Sequence, residues 1–418
     1  MLYMKQLIRI IILLSAVVLA GCKKDPASQE NAFDGPDYEK AAPMLKDGDV
    51  VLATNRNVEK FLTEVTYQDK NWSTTEIYNY YGGFNRVKYD ENHVPSENGE
   101  VCKNPQSDKP ESYSIRWKKN EEAGSLTLTL EEPTLKQEKA LTAGTCYVDI
   151  TNLVPNTTYT YKVTFDNSGE VAAEGSFSTT GHLHQVFFRS GCRNGRDLGG
   201  WKTLDGKMVK YHKIYRGGRM ESGNVSKAGA AEIISEGIGA QLDLRGTSDV
   251  LSKPTVSGLD FCAPIIEQGG VAMLNDINDD GVNRTKQCFD FVLKSVREGK
   301  GVYYHCSLGR DRTGTLTVLL LGLLGVPEHD ISKEYEVTYF APLGYSVSSS
   351  ETSSYDKEKG GWLFHNDRTK WVYSEIAPYF WNMAGAGGTF AQGVEKYLTT
   401  VAGVPQTDID EFRSLMLE

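Results

Sequence analysis

The pattern of polar and apolar positions changes near residue 184. Before it, residues 112–117 and 125–130 alternate polar and apolar side chains, as half-buried strands do. After it, short apolar runs such as residues 240–244 alternate with segments suited to helices, such as residues 226–236. Strands and helices in alternation favour a mostly parallel sheet flanked by helices. The chain therefore predicts an all-β region followed by an α/β domain.

Helix boundaries can be placed from capping residues. Ser226 is a suitable N-cap and Gly237 follows the predicted end of the same helix. Residues 316–324 are apolar nearly all round, and Gly325 ends this run. Pro327 then lies where another helix can begin. The apolar run is too short to span a bilayer, so we interpret it as a buried core helix.

Four other segments complete the secondary-structure prediction. Residues 281–298, 392–402 and 408–417 are predicted to be helices, and residues 58–65 either a short helix or a strand. The serine-rich residues 346–354 are predicted to form a loop over the functional site.

The candidate chemistry lies between a strand and a helix. Residues 301–304 form a β-type run, and the loop after it begins with Cys306 and reaches Arg312 six residues later. The backbone N–H groups at the start of the following helix attract anions and favour a thiolate over a thiol. Arg312 can donate two N–H groups to phosphate oxygens, and Gly309 permits a close backbone turn. The loop predicts an anion site with a nucleophilic cysteine.

These residues carry a family resemblance. Residues 305–314, His-Cys-Ser-Leu-Gly-Arg-Asp-Arg-Thr-Gly, resemble the Cys-x5-Arg signature of the cysteine-dependent protein tyrosine phosphatases. They are most similar to the bacterial tyrosine/serine phosphatase branch, which usually has lysine at the position of Arg310. Residues 193–200 resemble that branch's Asn-Phe-Arg-Asp-Leu-Gly-Gly, with Gly195 in place of the aromatic residue. Residues 242–245, Leu-Asp-Leu-Arg, are a third match.

The resemblance implies a catalytic mechanism. Cys306 attacks phosphorus to form a thiophosphate intermediate, and Arg312 holds the phosphoryl oxygens. The bacterial branch implies that Asp311 protonates the leaving group. Flanking arginines favour its ionised form, whereas a bound phosphate dianion favours the protonated form. Asp276 is the alternative acid, as on the mobile loop used elsewhere in the superfamily, although its segment also suits a solvated turn.

The remaining residues of the loop are expected to bind phosphate. Thr313 is expected either to donate to the sulfur or to cap the helix. The loop's backbone donors come from Ser307, Leu308, Gly309 and Arg310.

Three residues are predicted to support the loop. His305 is expected to orient the loop and tune the thiolate rather than act as a base. Asp243 either orients basic residues of the loop or closes a turn with Arg245. Arg196 is expected to form a structural ion pair with Asp197 that braces the loop.

The all-β region has a resemblance of its own. Residues 150–163 resemble the Leu-x-Pro-x-Thr-x-Tyr stretch of fibronectin type III modules, with Tyr159 at the tyrosine-corner position. Trp117 matches the core tryptophan of the second strand, and residues 174–179 would be the last strand. The resemblance implies a module that acts as a spacer or docks a protein or glycan.

The N-terminus resembles a bacterial lipoprotein signal. Lys5 and Arg9 precede an apolar run, residues 10–20, which is followed by Gly21 and Cys22. The apolar run is too short for a transmembrane helix. We expect cleavage before Cys22, lipid attachment to its thiol, and a protein exported and anchored in the envelope, on an undecided side.

These patterns divide the chain into five parts. An exported compartment permits disulfides, and Cys102 with Cys146 is a possible pair. The predicted parts are a signal peptide (1–21), a tether (22–36), an unassigned segment (37–94), a fibronectin-like sandwich (95–180) and a phosphatase-like domain (185–418).

Composition limits the partners. The net charge of −10 argues against nucleic-acid binding. The expected substrate is a phosphorylated protein or a small phosphomonoester, and the expected specificity is for phosphotyrosine or dual. No metal or cofactor is expected, since the thiolate and the arginine take the place of a metal. Two alternatives stay open. One is a phosphoinositide or inositol phosphate phosphatase, and the other is a protein that binds phospho-ligands or glycans on a retained phosphatase fold.

Overall fold

A computed structural model describes residues 44–64, 110–120, 124–188, 192, 194–223, 225–340 and 375–418. The predicted signal peptide, the tether with Cys22, and Cys102 lie outside these residues, as does the serine-rich segment 346–354. Cys146 is a buried free thiol.

The N-terminal part of the described chain is built mainly from strands. They form a five-stranded sheet in the order β1-β7-β6-β3-β4 and a two-stranded antiparallel sheet, β2-β5. The buried apolar side chains of these strands form one cluster, which includes Trp117. The elements are β1 (Asp49–Leu52), helix α1 (Arg56–Glu64), β2 (Tyr113–Arg116), β3 (Leu126–Glu131), β4 (Lys136–Leu141), β5 (Tyr147–Ile150), β6 (Thr158–Phe165) and β7 (Val171–Thr180).

Strand β1 lies in the segment that the sequence left unassigned. It pairs in parallel with β7 at the sheet edge, in register from Asp49 opposite Phe177 to Leu52 opposite Thr180. Of the two structures considered for residues 58–65, the helix is confirmed by α1.

The C-terminal part of the described chain is an α/β domain. Its sheet has the order β11-β10-β12-β9-β8, in which β8 pairs antiparallel with β9 and the other pairs are parallel. The predicted mostly parallel sheet is therefore confirmed. The elements up to the central strand are β8 (Arg196–Asp197), β9 (Ile214–Gly217), α2 (Lys227–Ser235), β10 (Ile238–Asp243), β11 (Asp260–Cys262), α3 (Gly270–Leu274), α4 (Arg284–Arg297) and β12 (Gly301–His305).

Helices pack around this sheet and complete the domain. Every residue of α5 from Thr313 to Leu324 is buried, as the apolar run predicts. Among the described residues, no helix is long and apolar enough to cross a membrane. The remaining helices are α5 (Asp311–Leu324), α6 (Glu328–Glu336), α7 (Ala377–Ala384), α8 (Phe390–Tyr397), continued by a π-helical turn at Leu398–Ala402, and α9 (Gln406–Met416).

Local capping explains where these helices begin and end. The Ser226 hydroxyl accepts a hydrogen bond from the Gly229 N–H, which confirms the predicted N-cap of α2. Gly325 ends α5 in the left-handed conformation that glycine adopts without strain. At α4 the cap is Asn283, whose side chain accepts from the N–H groups of Thr285 and Lys286, so this helix starts later than predicted.

Candidate active site

The cysteine loop occupies the carboxyl end of the central strand. Strand β12 ends at His305 and α5 begins at Asp311, so residues 306–310 form the predicted turn between them. No side chain caps the N-terminus of α5. Its first N–H groups are therefore available to an anion, and their dipoles point towards the loop. Cys306 is only 3% exposed, at the base of this arrangement.

The electrostatic surroundings of Cys306 favour the thiolate. Burial opposes ionisation, but the charge of Arg312 and the hydroxyl and N–H of Thr313 outweigh it, so the pKa of the Cys306 thiol lies below its ordinary value. The Thr313 hydroxyl is buried and has no nitrogen or oxygen partner among the described residues. Of the two predicted roles for Thr313, the structure provides the geometry for donation to sulfur, because Thr313 lies inside α5 rather than at its cap.

The backbone carbonyls of the cysteine loop accept hydrogen bonds from side chains outside the loop. The Asn194 side-chain amide donates to the carbonyls of Leu308 (3.3 Å) and Gly309 (3.1 Å), and an Arg216 N–H also donates to the Gly309 carbonyl. The C=O and N–H of a trans peptide point in opposite directions. Anchoring these carbonyls outward therefore leaves the N–H groups of Gly309 and Arg310 directed away from the anchors.

Gly309 is required for two physical reasons. Its φ of +73° lies in the left-handed region, which is costly for residues with a side chain. A Cβ atom at this position would also overlap the backbone of Gly217 and Gly218. The predicted need for glycine at this turn agrees with both observations.

A fully buried cluster of three charges braces the loop. Arg196 Nε lies 2.6 Å from Glu334 Oε1, and Arg216 Nη1 lies 3.0 Å from both carboxylate oxygens of Glu334. Burial would raise the pKa of Glu334, but the two arginines outweigh it and hold that pKa below its ordinary value. Arg216 connects this cluster directly to the Gly309 carbonyl.

The predicted Arg196–Asp197 ion pair is wrong. Successive residues of a strand point to opposite faces, so these neighbours on β8 cannot face each other. Asp197 instead lies 3.2 Å from His184, and Arg196 contacts Glu334. The sequence alone did not identify Arg216 or Glu334 as functional residues. Arg216 could have been recognised, because it is a charged residue in a strand whose residues are all buried.

Arg312 is held at the rim of the site. Its Nη1 donates to the Ile266 carbonyl at 2.9 Å, and the side chain is half-buried. Gly269, on the same rim segment, packs against the backbone of Asp311 and Arg312. The segment before α3 therefore positions the arginine, with part of its guanidinium left for an oxyanion.

The two candidate acids have different surroundings. Asp311 is 18% exposed and close enough to Cys306 for its charge to raise the thiol pKa. The guanidinium of Arg310 is buried and lies 3.2 Å from the Asp311 carboxylate. Asp276 is paired with Arg284 at 3.2 Å, at the turn that precedes α4. The geometry brings the Asp311 carboxylate close to the nucleophile, whereas the Asp276 carboxylate is engaged by Arg284.

The supporting residues next to the loop are also fixed by hydrogen bonds. Asp243 accepts from the Arg245 side chain at 2.9 and 2.8 Å and from the Leu251 N–H, so the structure matches the turn-closing interpretation of this pair. The Ser307 hydroxyl donates to Asp249 at 2.6 Å, which ties the cysteine loop to the turn after β10.

His305 is fully buried and neutral. Its Nδ1 lies 3.1 Å from the Cys306 carbonyl, which can only accept, so Nδ1 carries the proton. Its Nε2 then accepts from the Gln241 side-chain amide at 2.8 Å. Burial lowers the pKa of His305. Since both ring nitrogens are occupied, the geometry fits the predicted orienting role.

These features place a cysteine with a lowered thiol pKa at the uncapped N-terminus of a helix, beside an arginine, where an oxyanion could bind. The chain belongs to the tyrosine phosphatase family, whose family model matches residues 189–418, more than half of the chain. A Cupriavidus necator protein named "putative tyrosine-protein phosphatase" is 29% identical over 166 residues. That alignment covers 34% of this chain and 59% of the relative's length.

A solved structure was also found. The crystal structure of PTPMT1 in complex with PI(5)P shares 15% identity with this chain at a TM-score of 0.22, covering 38% of this chain and 93% of that one. A similarity of this degree does not define a common fold.

Proposed function

We propose that this chain hydrolyses phosphomonoesters through a cysteinyl-phosphate intermediate, with phosphotyrosine in proteins as the preferred substrate. One observation carries the proposal. Cys306, with a lowered thiol pKa, lies at the N-terminus of α5 beside the guanidinium of Arg312. A protein that only binds phosphate needs the N–H groups and the arginine but not an activated nucleophile.

The reaction has two steps. In the first, the Cys306 thiolate forms a bond to phosphorus while the bond to the leaving oxygen breaks, and Asp311 gives that oxygen its proton. In the second, water attacks phosphorus, the sulfur–phosphorus bond breaks, and Asp311 takes a proton from the water. Arg312 and the loop N–H groups stabilise the equatorial oxygens in both steps. The thiolate and the carboxylic acid are regenerated on release of phosphate.

The proposed function includes a location at the cell envelope. We propose that the chain is exported and anchored through a lipid on Cys22, as the N-terminal pattern indicates. We further propose that residues 95–180, which contribute strands β2 to β7, form a fibronectin-like module. The Tyr159 hydroxyl accepts from the Val154 N–H at 2.8 Å, as a tyrosine corner requires, and this contact supports the assignment.

A substrate panel tests the function. Wild type and Cys306→Ser are assayed with p-nitrophenyl phosphate, phosphotyrosine and phosphoserine peptides, phosphoinositides and inositol phosphates. The expected result is highest kcat/KM on phosphotyrosine peptides and a loss of more than roughly a thousandfold for Cys306→Ser. Preference for phosphoinositides would replace the substrate assignment. Phosphate binding without turnover by wild type would instead support the binding-protein alternative.

A further inference from the structure

A second cluster of ligating side chains lies where the strand-rich part meets the α/β domain. His184, Asp197 and His212 each offer one ligand atom, and these atoms lie within 4.8 Å of one another. His184 and Asp197 are fully buried, and the His212 side chain is 10% exposed. Among the described residues, no other group of three such ligands was found.

The hydrogen bonds of His184 suit a metal ligand. Its Nε2 lies 3.0 Å from the Asn152 carbonyl, which can only accept, so Nε2 carries a proton. Its Nδ1 lies 3.2 Å from Asp197 Oδ2. Two ligands of a tetrahedral zinc ion are separated by roughly 3.3 Å, given bonds of about 2.0–2.1 Å. A histidine that binds a metal through one ring nitrogen usually donates its other N–H to a carbonyl or carboxylate, as His184 does to the Asn152 carbonyl.

His212 leaves one nitrogen without a hydrogen bond. The Tyr215 hydroxyl donates to the Glu236 carbonyl, so it accepts from His212 Nδ1 at 2.7 Å. Nε2 of His212 is buried and has no hydrogen bond of acceptable geometry; it lies 3.2 Å from Oε1 of Glu132, with which it forms an ion pair when protonated. Glu132 belongs to the strand-rich part and pairs with His212 from outside the three-residue cluster.

A second orphaned atom lies beside the cluster. Oε2 of Glu236 is buried without a hydrogen-bond partner, 3.8 Å from His184 Nε2 and 4.0 Å from His212 Nδ1. An unpaired buried carboxylate oxygen is costly unless a positive charge compensates it. Two histidines and surrounding carboxylates are nitrogen and oxygen ligands of the kind that zinc accepts.

We propose that His184, Asp197 and His212 bind a divalent transition-metal ion, of which Zn²⁺ fits the ligands best, as a structural site separate from Cys306. The Asn152 carbonyl and Glu132 come from the strand-rich part, whereas the three ligands come from the α/β domain and the segment leading into it. The ion therefore fixes the two histidines that contact the strand-rich part, His184 through the Asn152 carbonyl and His212 through Glu132. It takes no part in phosphoryl transfer.

The test uses the full chain carrying Cys306→Ser, so that zinc does not bind the reactive thiolate. After dialysis against a chelator, ZnCl₂ is titrated calorimetrically and the Tm is measured with and without the ion. His212→Gln removes one ligand at the least buried position. His182→Gln is the matched control, because His182 is an exposed neighbour paired with Glu59.

The expected result is one equivalent of Zn²⁺ bound by the parent chain and by His182→Gln, with a raised Tm in each. His212→Gln should lose at least tenfold in affinity. Co²⁺ substitution should give a spectrum of nitrogen and oxygen ligands without thiolate charge-transfer bands. No zinc binding by the parent chain, or equal zinc affinity in His212→Gln, would overturn the proposal. The cluster would then consist of protonated histidines paired with the neighbouring carboxylates.

Discussion

At the scale of single residues, the charge and hydrogen-bond partners of Cys306 decide the chemistry. The sequence predicts the nucleophile and Arg312 because their spacing is a local property of one loop. It cannot predict which tautomer His305 adopts, since that depends on how the folded chain orients the ring between the Cys306 carbonyl and Gln241, on a neighbouring strand. It also leaves two roles open for Thr313, which the structure separates by placing the hydroxyl near sulfur.

Thr313→Val should raise the pKa of the Cys306 thiol. The Thr313 hydroxyl favours the thiolate, so removing it should move the midpoint of iodoacetamide alkylation to higher pH. Thr317→Val is the control, because its hydroxyl bonds the Thr313 carbonyl rather than the sulfur. An unchanged alkylation profile in Thr313→Val would show that the hydroxyl does not act on the thiol.

Asp311→Asn should lower kcat about a hundredfold on an aryl phosphate with a poor leaving group, where proton donation matters most. Asp276→Asn should stay close to wild type, since the Asp276 carboxylate is engaged by Arg284. The pH–rate profiles of both variants provide the measurement. The opposite pattern of losses would identify Asp276 as the acid.

At the scale of elements, the order of strand, loop and helix can be predicted from local sequence signals. The residues that brace the cysteine loop from elsewhere in the fold cannot. Ser226 and Gly325 fix helix ends through their own conformational preferences. Glu334 lies on α6 among other polar residues. Nothing in the sequence of that helix shows that this acid is the one that pairs with two buried arginines. Its partners, Arg196 and Arg216, come from strands more than a hundred residues earlier.

Glu334→Gln should destabilise the fold by about 3–5 kcal/mol at pH 7, because it leaves two buried arginines without their counter-charge. Glu411→Gln, at an exposed pair with Arg297, should lower the free energy of unfolding far less, because solvent screens this pair. Urea unfolding gives both values. Equal losses in the two variants would contradict the bracing role of the buried cluster.

The effect of Glu334→Gln on the free energy of unfolding should depend on pH. The pKa of Glu334 is lower in the folded state than in the unfolded chain, so its contribution to stability is complete above the unfolded pKa and is lost as pH falls. The difference in unfolding free energy between wild type and Glu334→Gln should therefore narrow below about pH 4.3, the ordinary glutamate value. A difference that stays constant on acidification would be inconsistent with an ionised Glu334.

At the scale of the whole molecule, the change from strands to alternating strands and helices was predictable from periodicity. The contribution of β1 was not, because its pairing partner β7 lies more than a hundred residues away along the chain. The contacts between the two parts were also hidden from the sequence. They include Gln137, on a strand that periodicity did not predict, donating to Glu236 at 3.1 Å.

Cys22→Ala should release the protein from membranes. Without the thiol, no lipid can be attached, so the precursor should no longer partition into the detergent phase. Wild type should partition there, with phosphatase activity per molecule unchanged in the variant after solubilisation. Detergent-phase partitioning of Cys22→Ala equal to wild type would contradict the single lipid anchor.

The central claim is that Cys306 carries the phosphoryl group during turnover. Rapid acid quench of wild type mixed with excess p-nitrophenyl phosphate, followed by peptide mass spectrometry, measures this directly. The predicted result is one phosphoryl group on the peptide that contains Cys306, with more of it in Asp311→Asn, whose intermediate hydrolyses slowly for lack of a base. Full turnover with no phosphorylated Cys306 peptide in either protein would contradict the cysteinyl-phosphate mechanism.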